Sequence, residues 1–301
     1  MGRKFSLDHA ASVLSQSGAF YAVLAYSAWG LFPIYWKFFG QIPAIEVLSH
    51  RVLWSLIFLL GVLTLQHRGV EFVQLWHAPK KLAMLLLTAL LLSVNWGLYI
   101  YGVNTDRVVE TSLGYFINPL VSVLLGFVVL KERLHWGQQI AVVLAVVGVV
   151  NFVWQLGTVP WIALSLAFSF AMYGLLRKIV PVAPMVGLAV ETLWMAPIAL
   201  LIIGHGLATG TGHFTASPWI TTLFVGAGVV TSLPLLWFAN AAKRLRLSTL
   251  GFFQYLAPTL QLLLGVLLYH EPFTRTHLVT FSCIWLALLI YSTTSWLKRD
   301  R

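Results

Sequence analysis

The chain has 301 residues, 59% of them apolar and 9% charged, with a mean hydropathy of +0.86 and a formal net charge of +10. A soluble domain carries about a quarter of its residues as charges, so this composition excludes a water-exposed globule and places the chain in lipid. The basic residues stand singly or in small groups between apolar runs and build no contiguous phosphate-binding stripe, which sets nucleic-acid binding aside.

Ten apolar runs follow one another, near residues 18–37, 44–66, 82–104, 111–130, 136–154, 158–176, 184–204, 218–240, 248–269 and 276–297. Each holds about 20 residues, enough to cross a hydrocarbon core of about 30 Å as a helix. The expected fold is therefore an all-α integral membrane protein with ten transmembrane helices. Connections are short and polar, and the two longest, around 67–81 and 205–217, show no sign of an extra folded domain. Arg3 and Lys4 precede the first run, but that run is long enough to span and lacks a small-residue cleavage pattern, so the first span is expected to be retained. Cys283, the one cysteine, lies inside the tenth run, so no intramolecular disulfide can form.

Positive charge sets the expected orientation. With a cytoplasmic N-terminus, the inner side collects Arg3, Lys4, Arg68, Lys80, Lys81, Lys131, Arg133, Arg177, Lys178, Lys243, Arg244, Arg246, Lys298, Arg299 and Arg301, which is 15 of the 19 Lys and Arg. The outer side receives Lys37, Arg107 and Arg275, and Arg51 stays inside a span. Lys and Arg in short loops fix topology, so both termini are expected in the cytoplasm.

The chain also repeats itself. Arg107-Val-Val-Glu-Thr-Ser-Leu-Gly114 is echoed by Arg244-Leu-Arg-Leu-Ser-Thr-Leu-Gly251. A constant 139 residues separate Pro119 from Pro258, Gly126 from Gly265 and Glu132 from Glu271; Trp29-Gly30 corresponds to Tyr173-Gly174, and Glu46 to Glu191. Two halves follow, residues 1–156 and 157–301, each with five spans. Because five is odd, the second half enters from the opposite face, giving two inverted five-helix repeats. Such symmetry is common in secondary transporters, where exchanging the conformations of the halves turns an outward-open cavity into an inward-open one.

These segments resemble the drug/metabolite transporter superfamily and, within it, the RarD-type permeases of the EamA family. The resemblance runs through Ala25-Tyr-Ser-Ala-Trp-Gly-Leu-Phe-Pro33, Glu46-Val-Leu-Ser-His-Arg-Val-Leu-Trp-Ser55, Ser112-Leu-Gly-Tyr-Phe-Ile-Asn-Pro-Leu120, Tyr173-Gly-Leu-Leu-Arg-Lys178 and Arg244 to Tyr255. It covers all ten spans and implies a bacterial inner-membrane permease for small metabolites or drugs, without supplying a substrate. Arg51 sits where the superfamily often has an Arg.

Ionisable groups inside spans are costly, about 2.5–3.5 kcal/mol on insertion scales, and so normally face the protein interior or water. Glu46 and His50, four residues apart, share a face and can hydrogen-bond along the second helix, while Arg51 points well away from Glu46 and needs a partner elsewhere. Glu191 is the one acid of the seventh helix. One reading makes Glu46, His50, Arg51 and Glu191 gating or proton-responsive groups, Glu46 toward the outer mouth and Glu191 toward the inner one. The other makes Glu46 interfacial and the rest polar contacts between packed helices. Trp29, Asn95, Tyr115, Asn118, Tyr173, Gln254 and Tyr255 are candidates for a mostly apolar solute path with a few oriented polar groups. Pro33, Pro119, Pro197 and Pro258 are expected helix kinks, and the Asn118 amide could satisfy a backbone carbonyl freed by Pro119.

Glu132 and Glu271 are expected to cap the following helix or pair with a nearby base. His270-Glu271 lacks a second histidine, since position 274 is Thr, so no metal site is expected. No Gly-x-Ser-x-Gly motif occurs, and the three aspartates, Asp8, Asp106 and Asp300, lie near ends or in loops. An intramembrane enzyme thus has no visible nucleophile or acid pair, and a non-transporting receptor would leave the repeat symmetry unused. No Walker-type lysine loop supports ATP hydrolysis, so a gradient or downhill flow supplies the energy and no cofactor is expected. The expected partners are a small-molecule solute and the lipid bilayer, and small residues in the fifth and tenth spans would allow a homodimer.

Overall fold

A computed structural model of the chain describes residues 2–105, 107–156, 159–268, 270 and 275–297. Asp106, Glu271, Thr274, Lys298, Arg299, Asp300 and Arg301 lie outside the described residues, as do the side chains of Arg3, Lys4 and Asp8. The described residues are helical, with no strand among them.

The helices are α1 (Gly2–Lys37), α2 (Ala44–Leu65), α3 (Gly69–Leu75), α4 (Pro79–Asn104), α5 (Val108–Val128), α6 (Trp136–Leu156), α7 (Trp161–Ile179), α8 (Pro184–Thr209), α9 (Pro218–Arg244), α10 (Leu247–Gln254), α11 (Leu256–Leu263) and α12 (Arg275–Leu297), with a π-helical turn at Leu264–Leu268 after α11. Nine stretches among the described residues are long and apolar enough to cross a membrane, and the shorter apolar helix Leu278–Thr294 within α12 is the tenth. The protein is an all-helical, multi-pass membrane protein. Large apolar side chains such as Val143, Leu201 and Leu289 remain well exposed on the outside of the bundle, as lipid-facing residues must.

Local chemistry sets the boundaries. Pro184 opens α8 and Gly210, at φ 67, closes it in the left-handed conformation. The Ser217 side chain accepts the Ile220 N–H at 3.2 Å and Pro218 follows, which starts α9. At the end of α5, Lys131 takes φ 53, in the left-handed region, and the Glu132 N–H reaches back to the Gly126 carbonyl at 2.9 Å, which closes the helix. His270, 139 residues further on, takes φ 55. The duplicated sequence thus carries a duplicated backbone irregularity.

Two features depart from the sequence reading. The 67–81 connection holds the short helix α3, whose first turn is tied by Arg68 to Glu71 at 2.7 and 2.9 Å; that hydrogen bonding holds the Glu71 carboxyl below its usual range. The ninth span is not one helix but α10 and α11, broken at Tyr255, three residues before Pro258. α1, α5 and α8 run on through Pro33, Pro119 and Pro197, and α9 likewise contains Pro234.

Helix pairings repeat when each of α1, α2, α4, α5 and α6 is exchanged for α7, α8, α9, α10–α11 and α12. α1 packs on α9 as α7 packs on α4, α5 packs on α7 as α1 packs on α11, and α2 with α8, α5 with α10 and α6 with α12 are self-matching pairs. The small residues Gly137 and Gly148 of α6 are used within the chain, against Thr294 and Cys283 of α12. The match is incomplete: α2 lies against α9 more extensively than α8 lies against α4, and α7 and α8 both pack on α9 without comparable packing of α1 and α2 on α4.

Candidate functional site

A cavity of about 420 Å³ lies among α1, α2, α4, α5, α7, α9, α10 and α11, and so between the first five spans and the second five. It extends to the α1–α2 turn at Phe39, Gly40 and Ile42. Six of the sequence candidates line it: Trp29, Arg51, Asn95, Tyr115, Asn118 and Gln254, with Pro33 and Pro258. Tyr115 lies mid-helix yet is 43% exposed, because it faces this space.

Polar side chains hold the wall together across helices. Asn95 of α4 donates to the Leu166 carbonyl and the Ser169 hydroxyl of α7 at 2.9 and 3.0 Å. Gln254 of α10 donates to the Ser122 hydroxyl of α5 at 3.0 Å, and Gln261 of α11 donates to the Trp29 carbonyl of α1 at 3.2 Å. The side-chain carbonyl oxygens of Asn118 and Gln254 are buried without partners.

Among the described residues, Arg51 is the one charged residue on the wall. Its Nε donates to the Thr231 hydroxyl of α9 at 2.9 Å. The guanidinium carbon lies 4.6 Å from the Trp36 ring centroid and 5.1 Å from that of Trp96, within cation–π range. No carboxylate pairs with it among the described residues.

The other candidates lie off the cavity wall. Glu46 does not bond to His50. Its carboxylate instead accepts the His213 backbone N–H at 2.6 Å and contacts His213 Nδ1 at 2.7 Å, so the α8–α9 loop is strapped onto α2. His50 is buried against Phe214, stacked at 4.9 Å and 11°, and against Phe224. Glu191 is fully buried near the other end of the bundle, where it meets Arg177 at 3.2 Å, the Thr88 hydroxyl at 2.6 Å and the Tyr173 hydroxyl at 3.3 Å. Tyr255 is buried too, donating to the Phe116 carbonyl at 3.3 Å. Pro119 and Pro197 do not line the cavity.

That other end, where the α5–α6, α7–α8 and α9–α10 connections gather, is tied by hydrogen bonds. Glu132 accepts the backbone N–H groups of Leu247 and Ser248 at 2.6 and 2.9 Å and the Ser248 hydroxyl at 2.6 Å. It therefore caps α10 of the second half rather than the following helix α6, with Arg246 3.9 Å away. Lys178 donates to the carbonyls of Ala242 and Leu245, Lys243 to that of Val180 at 2.7 Å, and Arg246 to that of Arg133 at 2.6 Å.

Sequence reasoning missed Thr231, Trp36, Gln261, His213 and Phe214, and it counted Arg177 as a loop charge. Gly187 was the available signal for Arg177, since a Cβ there would collide with the guanidinium. Nothing local marks His213 as a partner of Glu46, because that contact joins residues 167 apart.

The EamA-like transporter family matches the chain twice, at residues 16–154 and 158–293. The chain belongs to the EamA-like transporter family. Within that family it is a RarD-type member. It is 46% identical to "Protein RarD" of Salmonella typhi over 92% of this chain and 95% of that one, and 44% identical to "Protein RarD" of Escherichia coli (strain K12) over 92% and 94%. "Chloramphenicol-sensitive protein RarD" of Pseudomonas aeruginosa is 31% identical over 92% and 94%. A solved structure described as "Crystal structure of protein" superposes with a TM-score of 0.71 at 16% identity, over 95% of this chain and 99% of that one, which is a likeness of fold alone. As an EamA-like protein, the chain is a membrane transporter.

Proposed function

We propose that this EamA-like transporter is a secondary permease of the bacterial inner membrane that moves small organic metabolites or drugs by alternating access. Its halves, 1–156 and 157–301, are inserted in opposite senses with both termini in the cytoplasm. The observation that carries the reading is the asymmetry of the path. A cavity shared by both halves reaches the α1–α2 turn, while at the opposite end Glu132 of the first half holds α10 of the second. Helix pairings that survive exchange of the halves support a second state in which the open and tied ends trade places.

In this reading Trp29, Asn95, Tyr115, Asn118 and Gln254 contact solute and Arg51 fixes its orientation. Tyr173 and Tyr255 support the wall from behind. Glu46 with His50, and Glu191, belong to the gating and proton-responsive machinery at the two mouths. Pro33, Pro119, Pro197 and Pro258 are the points at which the helices around the path bend. The test is solute counterflow in proteoliposomes together with cysteine accessibility in a Cys283→Ser background. Tyr99→Cys should label from the periplasmic side and Leu250→Cys from the cytoplasmic side, and saturating solute should change the two rates in opposite directions. Rates that rise and fall together would defeat alternating access.

A further inference from the structure

We propose that the cavity is built for an organic monoanion: a small carboxylic acid with an N–H or O–H donor at its far end. This rests on the reading of the cavity as the solute site of a transporter, and it names the class of solute.

The chain contains an internal comparison between two arginines at membrane depth. Arg177 is 1% exposed and has its counter-charge supplied by the protein, in Glu191. Arg51 lines the cavity and has no ion pair among the described residues. A guanidinium removed from bulk water needs a compensating anion or acceptors, and here the cavity is where one can enter. Thr231 holds Nε at 2.9 Å and the Trp36 and Trp96 rings lie within cation–π reach, so the fork is oriented before anything binds. A carboxylate matches the remaining edge of such a fork with two parallel hydrogen bonds.

Charge balance then narrows the class. Among the described residues no acidic side chain lines the cavity, so a cationic solute, or the ammonium of a zwitterion, finds no counter-charge there. A phosphate ester carries about two negative charges at neutral pH and would meet one positive charge, which favours the monoanion. Away from Arg51, Asn118 is 7% exposed and its side-chain carbonyl oxygen has no donor. An acceptor left unpaired beside a cavity calls for a donor on the ligand. A space of about 420 Å³ falls in the range of small-molecule pockets, about 300–1,000 Å³.

The test is equilibrium binding to the purified full-length protein in lipid nanodiscs, read by tryptophan fluorescence and by thermal stabilisation. The probes share one phenolic body: 3-(4-hydroxyphenyl)propionate as the anion, its primary amide as the neutral form, and tyramine as the cation. We expect the acid to bind at least about tenfold more tightly than the amide, a gap of about 1.4 kcal/mol, and tyramine more weakly still. Arg51→Gln should weaken the acid by about tenfold or more and the amide by much less, so that the preference for the acid disappears. Equal or tighter binding of the amide or of tyramine, or no binding of the acid up to its solubility, overturns the proposal on the unaltered protein, whatever the variant does. Binding of the acid without counterflow in proteoliposomes would sink the transport reading and leave this one standing. Counterflow of amide and amine with no preference for the acid would do the reverse.

Discussion

Glu132 and Ser248, 116 residues apart in the chain, meet through two hydrogen bonds, the Glu132 carboxylate accepting the Ser248 backbone N–H at 2.9 Å and its hydroxyl at 2.6 Å. An acid from the end of α5 thereby satisfies the exposed N–H groups at the start of α10, where the helix dipole also favours negative charge. The left-handed turn at Lys131 is what folds Glu132 back far enough to do this.

Glu132→Ala removes the acceptor for three donors at once. It should destabilise the tied end by about 0.5–2 kcal/mol, the range for a lost cap. A cysteine at position 250, buried beside α5 in the intact protein, should then react faster with a thiol reagent applied from the cytoplasmic side. Glu132→Gln keeps one carbonyl oxygen and should fall in between. An unchanged labelling rate in the alanine variant would mean that this contact does not hold the end shut.

Arg177 and Glu191 are 1% and 0% exposed, so each depends on the other for its charge to be tolerated. Replacing Glu191 alone by Leu leaves the guanidinium uncompensated and should cost about 3–5 kcal/mol, whereas Arg177→Met combined with Glu191→Leu should recover most of that loss. Thermal unfolding in detergent measures both. If the double variant also transports normally, the pair is a packing element and Glu191 has no part in gating. If the double variant is stable but inactive, the gating role stands.

The spans were legible because lipid imposes one simple rule, a run of about 20 apolar residues. All ten lie where the hydropathy places them, from Ala44–Leu65 for the expected 44–66 to Arg275–Leu297 for the expected 276–297. The break at Tyr255 was not legible, because nothing apolar is interrupted there and a helix-breaking residue comes three positions later. At the site, Arg51 and the amides Asn95, Asn118 and Gln254 stand out as polar groups in apolar runs, and all four line the cavity. Their partners did not stand out. Thr231 and Trp36 are unremarkable in composition and acquire meaning only when α2, α9 and α1 are brought together. Glu46 and His50 misled for the opposite reason, since a spacing that permits contact along one helix does not compete with a neighbouring loop that offers better partners.

The Glu46–His213 contact makes a testable strap. Glu46 is 12% exposed and His213 42%, and two of the acid's hydrogen bonds go to one residue of the α8–α9 loop. Glu46→Gln keeps one acceptor oxygen for the backbone bond but removes the negative charge, and His213→Ala keeps the backbone bond but removes the ring. Both should raise hydrogen exchange in residues 210–217, His213→Ala the less. Transport by Glu46→Gln, His50→Ala and Glu191→Gln, measured with and without an imposed pH gradient, checks the proton-responsive role. Unchanged gradient dependence in all three would confine these residues to packing.

Gly228 sets the closest approach between α9 and α2. A Cβ there would collide with the backbone of Trp54, and the Ser55 hydroxyl donates to the Gly228 carbonyl at 3.0 Å. The same helix pair carries Arg51 and, one turn along from Gly228, Thr231. Gly228→Ala must therefore push α2 off α9, because backbone cannot step aside as a flexible side-chain tip can, and the expected cost is about 1–3 kcal/mol, as for other overpacked sites. The displacement should also lengthen the Arg51–Thr231 contact and weaken solute binding. Gly61→Ala on α2 is the control: nothing lies within 4 Å of its added carbon, and alanine is the better helix former there, so stability should hold or rise slightly. Thermal unfolding and solute affinity measured on both variants decide the matter. A Gly228→Ala protein as stable and as tight-binding as Gly61→Ala would show that the close approach of α2 to α9 is not what positions Arg51.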